Sequence, residues 1–418
     1  MIEASAGRRA LPMWLSIVAV IALAANLRVA VSSVGALLPD IREANSLGGF
    51  GTGLLTALPP FCFGVMGLAG PTVARRIGLH RTALLSVLLI TTGQVIRAVV
   101  PGAIWLFAGS VITLAAIALG NVIMPSILRE MFPARIAGMT AAYTVVMATM
   151  QASVSFVTIP LTDALGGDWR LGIGMWAVLA LMAVIPWLPM AHHEAAPSRS
   201  GVHRLPLATI ARVPKGWALA LFFGVQSLNA YFSFGWYPTL LRDQGLPQGY
   251  AAAQVGFVSI AATVATIFAP GLLDRMRRPA LLTWGLFACN IVAYLGLWLA
   301  PTTATTVWSL IIGTGQTYFT IALYVVNLRA DTTTGVLSLS GFMQSVGYLV
   351  AGSGLLLLGT VHGGSTEWGG VILVMMLLSA VLQVFALVSV GRWSIEKELA
   401  ARDLLPSELA PADRGEGR

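Results

Sequence analysis

The stretch Asn26-Leu27-Arg28-Val29-Ala30-Val31-Ser32-Ser33-Val34-Gly35-Ala36-Leu37-Leu38-Pro39-Asp40-Ile41-Arg42 decides how the chain is read. The apolar run Leu11–Ala25 leads into it without a break, which predicts one helix over residues 12–38 with Arg28 near its middle. A helix of that length spans the hydrocarbon core of a bilayer. A cation at its centre costs on the order of 2.5–3.5 kcal/mol on insertion scales. Something in the fold or in its cargo must compensate that cost.

Composition places the rest of the chain in the same solvent. Charged residues are 10% of the 418 and hydrophobic residues 57%, where a soluble protein carries about 25% charge. The chain therefore reads as an all-α membrane protein that crosses the bilayer many times. The net charge of +8 does not point to nucleic acid, because the basic residues sit in short loops between apolar runs. Cys62 and Cys289 both lie inside apolar runs and read as packing residues. The start of the chain imitates a signal peptide, with Arg8-Arg9 ahead of an apolar stretch and Ala22-Leu23-Ala24. The apolar run continues beyond Arg28, so the first helix is expected to be retained.

Twelve spans are expected, at about 12–38, 50–74, 82–100, 103–127, 137–162 and 169–190, and then 214–241, 250–273, 279–299, 303–327, 335–360 and 368–391. This divides the chain into a six-helix bundle over 1–190, a linker loop over 191–213, a second bundle over 214–391 and a polar tail over 392–418. The tail is expected to fray or to lie on the membrane surface. Of the 25 Lys and Arg, 20 fall on the side of the two termini; Arg42, Arg97, Arg170 and Arg242 are assigned to loops on the other side. Both termini are therefore expected in the cytoplasm. A shift of 200 residues relates the halves: Ile41-Arg42-Glu43 matches Leu241-Arg242-Asp243, Arg75 matches Arg275, Pro101 matches Pro301 and Arg129 matches Arg329. Six helices per half is an even number, so the repeats run parallel, as in a major facilitator transporter.

Several segments carry a resemblance. Asn26-Leu27-Arg28, Leu37-Leu38-Pro39-Asp40-Ile41-Arg42, Leu58-Pro59-Pro60-Phe61-Cys62-Phe63-Gly64, Gly120-Asn121-Val122-Ile123-Met124-Pro125 and Gly341-Phe342-Met343-Gln344-Ser345-Val346-Gly347-Tyr348 resemble the cyanate and 2-nitroimidazole transporter family of the major facilitators. The superfamily loop pattern G-x-x-x-D-R-x-G is altered: its acid is replaced by Arg75, whereas the second half keeps Asp274-Arg275. The resemblance implies alternating access, in a bacterial inner membrane, around a central cavity lined by helices 1, 4, 7 and 10. It also implies that the loop after helix 2 faces the start of helix 11, and the loop after helix 8 faces the start of helix 5.

The polar residues inside the spans supply the candidate substrate groups: Arg28 and Asn26 in helix 1, Asn121 in helix 4, Gln226 and Asn229 in helix 7, Gln316 and Tyr324 in helix 10, and Gln344 in helix 11. Gln226, Asn229 and Ser233 form a stripe on one helical face, as do Gln316, Thr320, Tyr324 and Asn327. Such amides either line the cavity or tie neighbouring helices together at about 0.6 kcal/mol each; for helices 7 and 10 the cavity is expected. Asn26 and Arg28 are two residues apart, so both cannot face the cavity squarely, and Arg28 is expected to do so. No Asp or Glu lies near the centre of a span. Arg28 is therefore expected to meet a substrate anion, or else carbonyls and water. The expected cargo is a small anion such as cyanate, with export of a 2-nitroimidazole-type nitroaromatic as the alternative. Coupling to protons or to a counter-anion stays open.

A cytoplasmic gate is expected from Arg75 with Asp331 and from Asp274 with Arg135, within a basic ring that includes Arg129, Arg275 and Arg329. No metal-ligand spacing, phosphate loop or nucleophile constellation is present in the sequence, so neither an enzyme nor a cofactor is expected. The expected assembly state is a monomer in the lipid bilayer.

Overall fold

The computed structural model describes residues 12–193, 205–276, 278, 280–363 and 367–404. Among the described residues, eleven segments are long and apolar enough to cross a membrane: Met13–Ala36, Gly49–Ile77, Leu79–Val99, Ala103–Met131, Gly138–Ala164, Trp169–His192, Gln248–Leu273, Ala280–Leu299, Thr305–Leu328, Thr334–His362 and Gly369–Val390. The twelfth, Pro214–Gly235, is less apolar because it carries Gln226, Ser227, Asn229 and Ser233. All four of these are buried, and protein rather than lipid surrounds that face. In chain order these are spans 1 to 12, with Pro214–Gly235 as span 7. They form the fold of two parallel six-helix repeats. One face of the molecule carries the described ends of the chain (the terminal face); the other is the far face.

The repeat is visible in local structure. After span 1 the chain breaks at Leu37 and re-enters a short helix, Leu38–Ala44, with Pro39 in its first turn. After span 7 it breaks at Trp236 and re-enters Tyr237–Asp243, with Pro238 in its first turn. A proline there loses no helical hydrogen bond, so both halves turn the same corner by the same means.

Span 1 departs from the expected continuous helix over 12–38. It is two helices, Met13–Asn26 and Val29–Ala36, parted at Leu27-Arg28, where Arg28 takes φ −122° and ψ −19°. Span 10 is likewise parted at Gln316-Thr317, between Thr305–Gly315 and Tyr318–Leu328. The repeat partners of these spans are unbroken, span 7 through Leu228 and span 4 through Ala103–Met131. Interrupted helices recur where transporters bind cargo, because the freed backbone groups there can face a cavity.

The halves are joined toward the far face. Spans 2 and 11 cross where Gly49 and Gly53 meet Gly359 and Gly363 backbone to backbone, and Gly35 lies against the carbonyl of Phe234. Trp236 Nε1 donates to Thr56 Oγ1 at 2.9 Å, Arg242 lies 3.8 Å from Asp40, and Phe156 packs edge-on against Phe257. Toward the terminal face, Arg75, Arg129, Arg135 and Asp331 are all exposed.

The expected tail is corrected over its described part. Trp393, Ser394, Ile395, Glu396 and Leu399 are buried, and a short helix over Ile395–Ala400 docks on the start of span 11. Glu396 accepts hydrogen bonds from the Asp331 and Thr332 amides and from the Thr332 hydroxyl. Residues 405–418 lie outside the described residues, as do 194–204 of the expected linker.

Candidate substrate site

Arg28 stands at the break in span 1, half-buried, with its guanidinium beside the phenol of Tyr231 and near Tyr348. Among the described residues no carboxylate lies within ion-pair distance of it. Tyr348 stacks edge-on against Phe223 at 5.0 Å and lies 5.4 Å from Phe63 and 6.4 Å from Tyr231. Both repeats contribute to this aromatic wall, Phe63 from span 2 and the others from spans 7 and 11. The cation is therefore set in a largely apolar surround, where an electrostatic contact is stronger than in water.

The other candidate groups distribute differently. Asn26 turns away from Arg28: it is buried and donates to the carbonyls of Ala22 at 2.9 Å and Leu179 at 3.4 Å, tying span 1 to span 6. Asn121 is half-buried and donates to Ile117 O within its own helix. Gln226, Asn229 and Gln316 do not line the central cavity as expected. They close a water-sized pocket inside the second bundle with Asn290, Tyr294 and Tyr318. Gln226 donates to Gln316 O at 3.4 Å, and Asn229 accepts from the Tyr294 hydroxyl at 2.7 Å. The stripe on span 7 was correctly placed on one face, but spans 9 and 10 supply partners on that side, so hydrogen bonding turns it inward. Of span 10, Thr320 pairs with Thr266 at 2.9 Å; Tyr324 is half-buried. Gln344 is half-buried on span 11 and donates to Ser340 Oγ at 2.9 Å.

The gate residues stand apart in this conformation. Arg75 is exposed and donates to Thr72 Oγ1 at 3.3 Å, and no ion pair joins it to Asp331, which accepts from Ser394. Arg329 is spent on the carbonyls of Ser389, Leu328 and Val390, where its charge and donors cap the end of span 12. Arg129, Arg135 and Arg275 are exposed. The Asp274 side chain lies outside the described residues, so the expected Asp274–Arg135 pair does too.

Two residues escape the sequence reading. Tyr231 faces Arg28 from span 7, from the side of the helix opposite the Gln226–Asn229–Ser233 stripe; its signal was a lone phenol within the span. Arg97, assigned above to a loop, lies inside span 3 and is 1% exposed. The helix runs on to Val99, so the guanidinium is carried into the bundle rather than out to water. Gln94, one turn earlier on the same face, was the available sign.

The comparisons agree with this architecture. Residues 17–354 match the model of the Major Facilitator Superfamily. The 2-nitroimidazole transporter of Escherichia coli (strain K12) is 32% identical over 374 residues, covering 89% of this chain and 94% of that one. The cyanate transport protein CynX of the same organism is 23% identical over 333 residues, covering 78% and 84%. Among solved structures, the nucleoside transporter NupG superposes with a TM-score of 0.72 at 14% identity, over 91% of this chain and 100% of that one; at that identity the likeness is one of fold. The chain belongs to the Major Facilitator Superfamily, and its similarity to the cyanate and 2-nitroimidazole transporters bears out the resemblance read from its motifs. It is a multi-pass membrane transporter and not an enzyme.

Proposed function

We infer that this transporter carries a small anion of the size of cyanate by alternating access around Arg28. The observation that supports this reading is the mid-membrane guanidinium at a helix break, without a carboxylate among the described residues and facing the phenol of Tyr231. An anion there would neutralise the charge and accept hydrogen bonds from both groups. The halves divide as a bundle over 1–190 and a bundle over 214–391, joined by 191–213. The excess of Lys and Arg on the terminal face supports an orientation with that face in the cytoplasm of a bacterial cell. The conformation, joined at the far face and parted at the terminal face, is then inward-open. In the outward-open state we assign the closing contacts on the cytoplasmic side to Arg75–Asp331 and Asp274–Arg135. The transporter acts as a monomer.

A second reading is favoured by the aromatic wall of Phe63, Phe223, Tyr231 and Tyr348 and by the 32% identity to the 2-nitroimidazole transporter. A flat nitroaromatic would stack on these rings and set its nitro oxygens against Arg28. Purified protein in liposomes separates the readings: uptake of labelled cyanate, nitrate, formate and 2-nitroimidazole is measured with and without a pH gradient. The anion reading requires saturable cyanate uptake that Arg28→Gln abolishes. Uptake of 2-nitroimidazole alone would replace it with the second reading. A pH gradient that drives accumulation would assign proton coupling; accumulation driven only by a trapped internal anion would assign exchange.

A further inference from the structure

Behind the Arg28 site, toward the far face, lies a second group of polar side chains that the alternating-access reading does not use. Arg97 is buried, and none of its three guanidinium nitrogens has a hydrogen-bond partner among the described residues. Gln94, one turn before it, is fully buried with both amide atoms unpartnered. The hydroxyls of Ser110 and Thr113, facing these two from span 4, are equally without partners. Folded proteins seldom leave one buried charge uncompensated, and here the neighbours that could solvate it are unsatisfied as well.

Arg97 and Ser110 open onto a cavity whose remaining wall includes Gly35, Thr56, Tyr231 and Gly235. The space open to a water's centre measures ≈ 20 Å³, room for about one water molecule. Its walls belong to both repeats: Tyr231 and Gly235 come from span 7, the rest from spans 1 to 4. Span 7 is the helix whose Phe234 carbonyl abuts Gly35 where the halves join. Parting the far face withdraws that wall and enlarges the chamber in front of Arg97. Tyr231 therefore stands between two arginines, Arg28 on the side that is open here and Arg97 on the side that is closed.

The fold itself does not require a cation at this place. Under the shift of 200 residues Arg97 corresponds to Leu297, which is equally buried in the second bundle, and Gln94 corresponds to Tyr294, whose hydroxyl is bonded to Asn229. One repeat fills the position with a hydrocarbon and satisfied hydrogen bonds. The other keeps a guanidinium beside a cavity, without a partner among the described residues.

We propose that Arg97, with Gln94 and Ser110, is a second binding station for a small monovalent anion, engaged when the far face opens. The guanidinium supplies charge and a planar fork of donors, the Ser110 hydroxyl and Gln94 amide supply further donors, and the Tyr231 phenol is shared with the Arg28 site. An anion entering from the far side would meet Arg97 first and pass to Arg28 as span 7 closes over the chamber. This rests on the anion reading of the cargo.

The test uses Val34→Cys, on the cavity wall outside the three ligand groups, in a Cys62→Ser/Cys289→Ser background, reconstituted in liposomes, with a membrane-impermeant cationic methanethiosulfonate added at the far face. Azide, isoelectronic with cyanate and inert to thiols, and nitrate are the probes; gluconate is the bulky control. We expect modification from the far side, slowed about tenfold by saturating azide or nitrate and not by gluconate. Adding Arg97→Gln should remove the protection, Arg97→Lys should keep part of it, and Arg28→Gln should leave it in place. A cysteine never modified from the far side overturns the proposal, as does protection that survives Arg97→Gln. Should Arg97→Gln fail to fold, equal modification rates in azide, nitrate and gluconate with Arg97 intact are sufficient to reject it. Cyanate uptake by the unsubstituted protein distinguishes the two readings. Uptake without protection at Val34→Cys removes only the second station; protection without uptake removes only the substrate assignment.

Discussion

Gly359→Ala should hold the far face open. In the structure a Cβ at Gly359 would press on the Gly53 Cα and come to 2.8 Å from Gly53 N and 2.9 Å from Gly49 O. Unstrained contacts between carbon atoms sit at about 3.5–4.0 Å, so spans 2 and 11 would have to part by roughly 1 Å at this crossing. The obstacle is backbone, so no rotamer change relieves it. Overpacking of this kind costs about 1–3 kcal/mol. The cost falls only on the conformation in which the far ends meet. The gain of Ala over Gly in a helix, about 0.8–1.0 kcal/mol, applies to both conformations and cancels from their ratio. The balance should therefore shift about 5–150-fold toward the state with the far face parted. Spin labels at residues 50 and 361, where Phe50 and Val361 are 60% and 82% exposed, report the separation in a background lacking Cys62 and Cys289. The unsubstituted protein should give a short-distance population that Gly359→Ala depletes, with a matching fall in turnover. An unchanged distance distribution together with unchanged turnover would refute the argument that this glycine crossing closes the far face.

Four further outcomes follow from the geometry. Arg28→Gln should abolish anion uptake in a protein that still folds, and Arg28→Lys should retain part of it, because a point charge replaces a planar fork; normal uptake by Arg28→Gln in liposomes would remove Arg28 from the site. Glu396→Ala leaves the Asp331 and Thr332 amides and the Thr332 hydroxyl without their acceptor. It should cost about 1–3 kcal/mol, read as a lower melting temperature and as proteolysis after Trp393. Lys215 and Arg402 hold the Glu398 carboxyl below its ordinary value. The stability this lends the docked helix is present above the unfolded-state value of about pH 4.3 and is lost as pH falls through the lower folded-state value; cleavage of the tail by an acid-active protease should rise there, and Glu398→Gln should show no such step. Finally, Asp331→Arg should slow transport and Arg75→Asp added to it should restore part; a double variant no faster than the slower single one would leave that pairing unsupported.

What could be read in advance was whatever the membrane imposes on composition. Twelve spans, the repeat at 200 residues and the isolation of Arg28 all follow from where apolar runs begin, end and carry charge. Direction around a helix was harder. The stripe Gln226–Asn229–Ser233 is a property of span 7 alone, but whether it faces cargo or Tyr294 depends on span 9, some sixty residues away in the sequence. Arg97 was misplaced for a related reason: within three residues of a span's end, a cation can reach water or turn into the bundle, and only the packing of spans 1, 3 and 4 decides. The break at Leu27-Arg28 was concealed by an apolar run in which nothing punctuates the helix. The docking of Ile395–Ala400 depends on Glu396 finding three donors at the start of span 11, a pairing that no local pattern announces.

Because Arg28 has no fixed anionic partner among the described residues, the charge in the middle of the membrane depends on whether the carrier is loaded. With an anion bound, the pair crosses the field as a nearly neutral unit; empty, the site retains a positive charge. A transmembrane potential acts with about 2.3 kcal/mol per elementary charge for each 100 mV across the whole field, and the reorienting site feels the fraction through which it moves. Voltage would therefore act mainly on the return of the empty carrier, and, with the terminal face in the cytoplasm as proposed above, an interior-negative potential would bias that carrier toward the side on which the site opens in this structure.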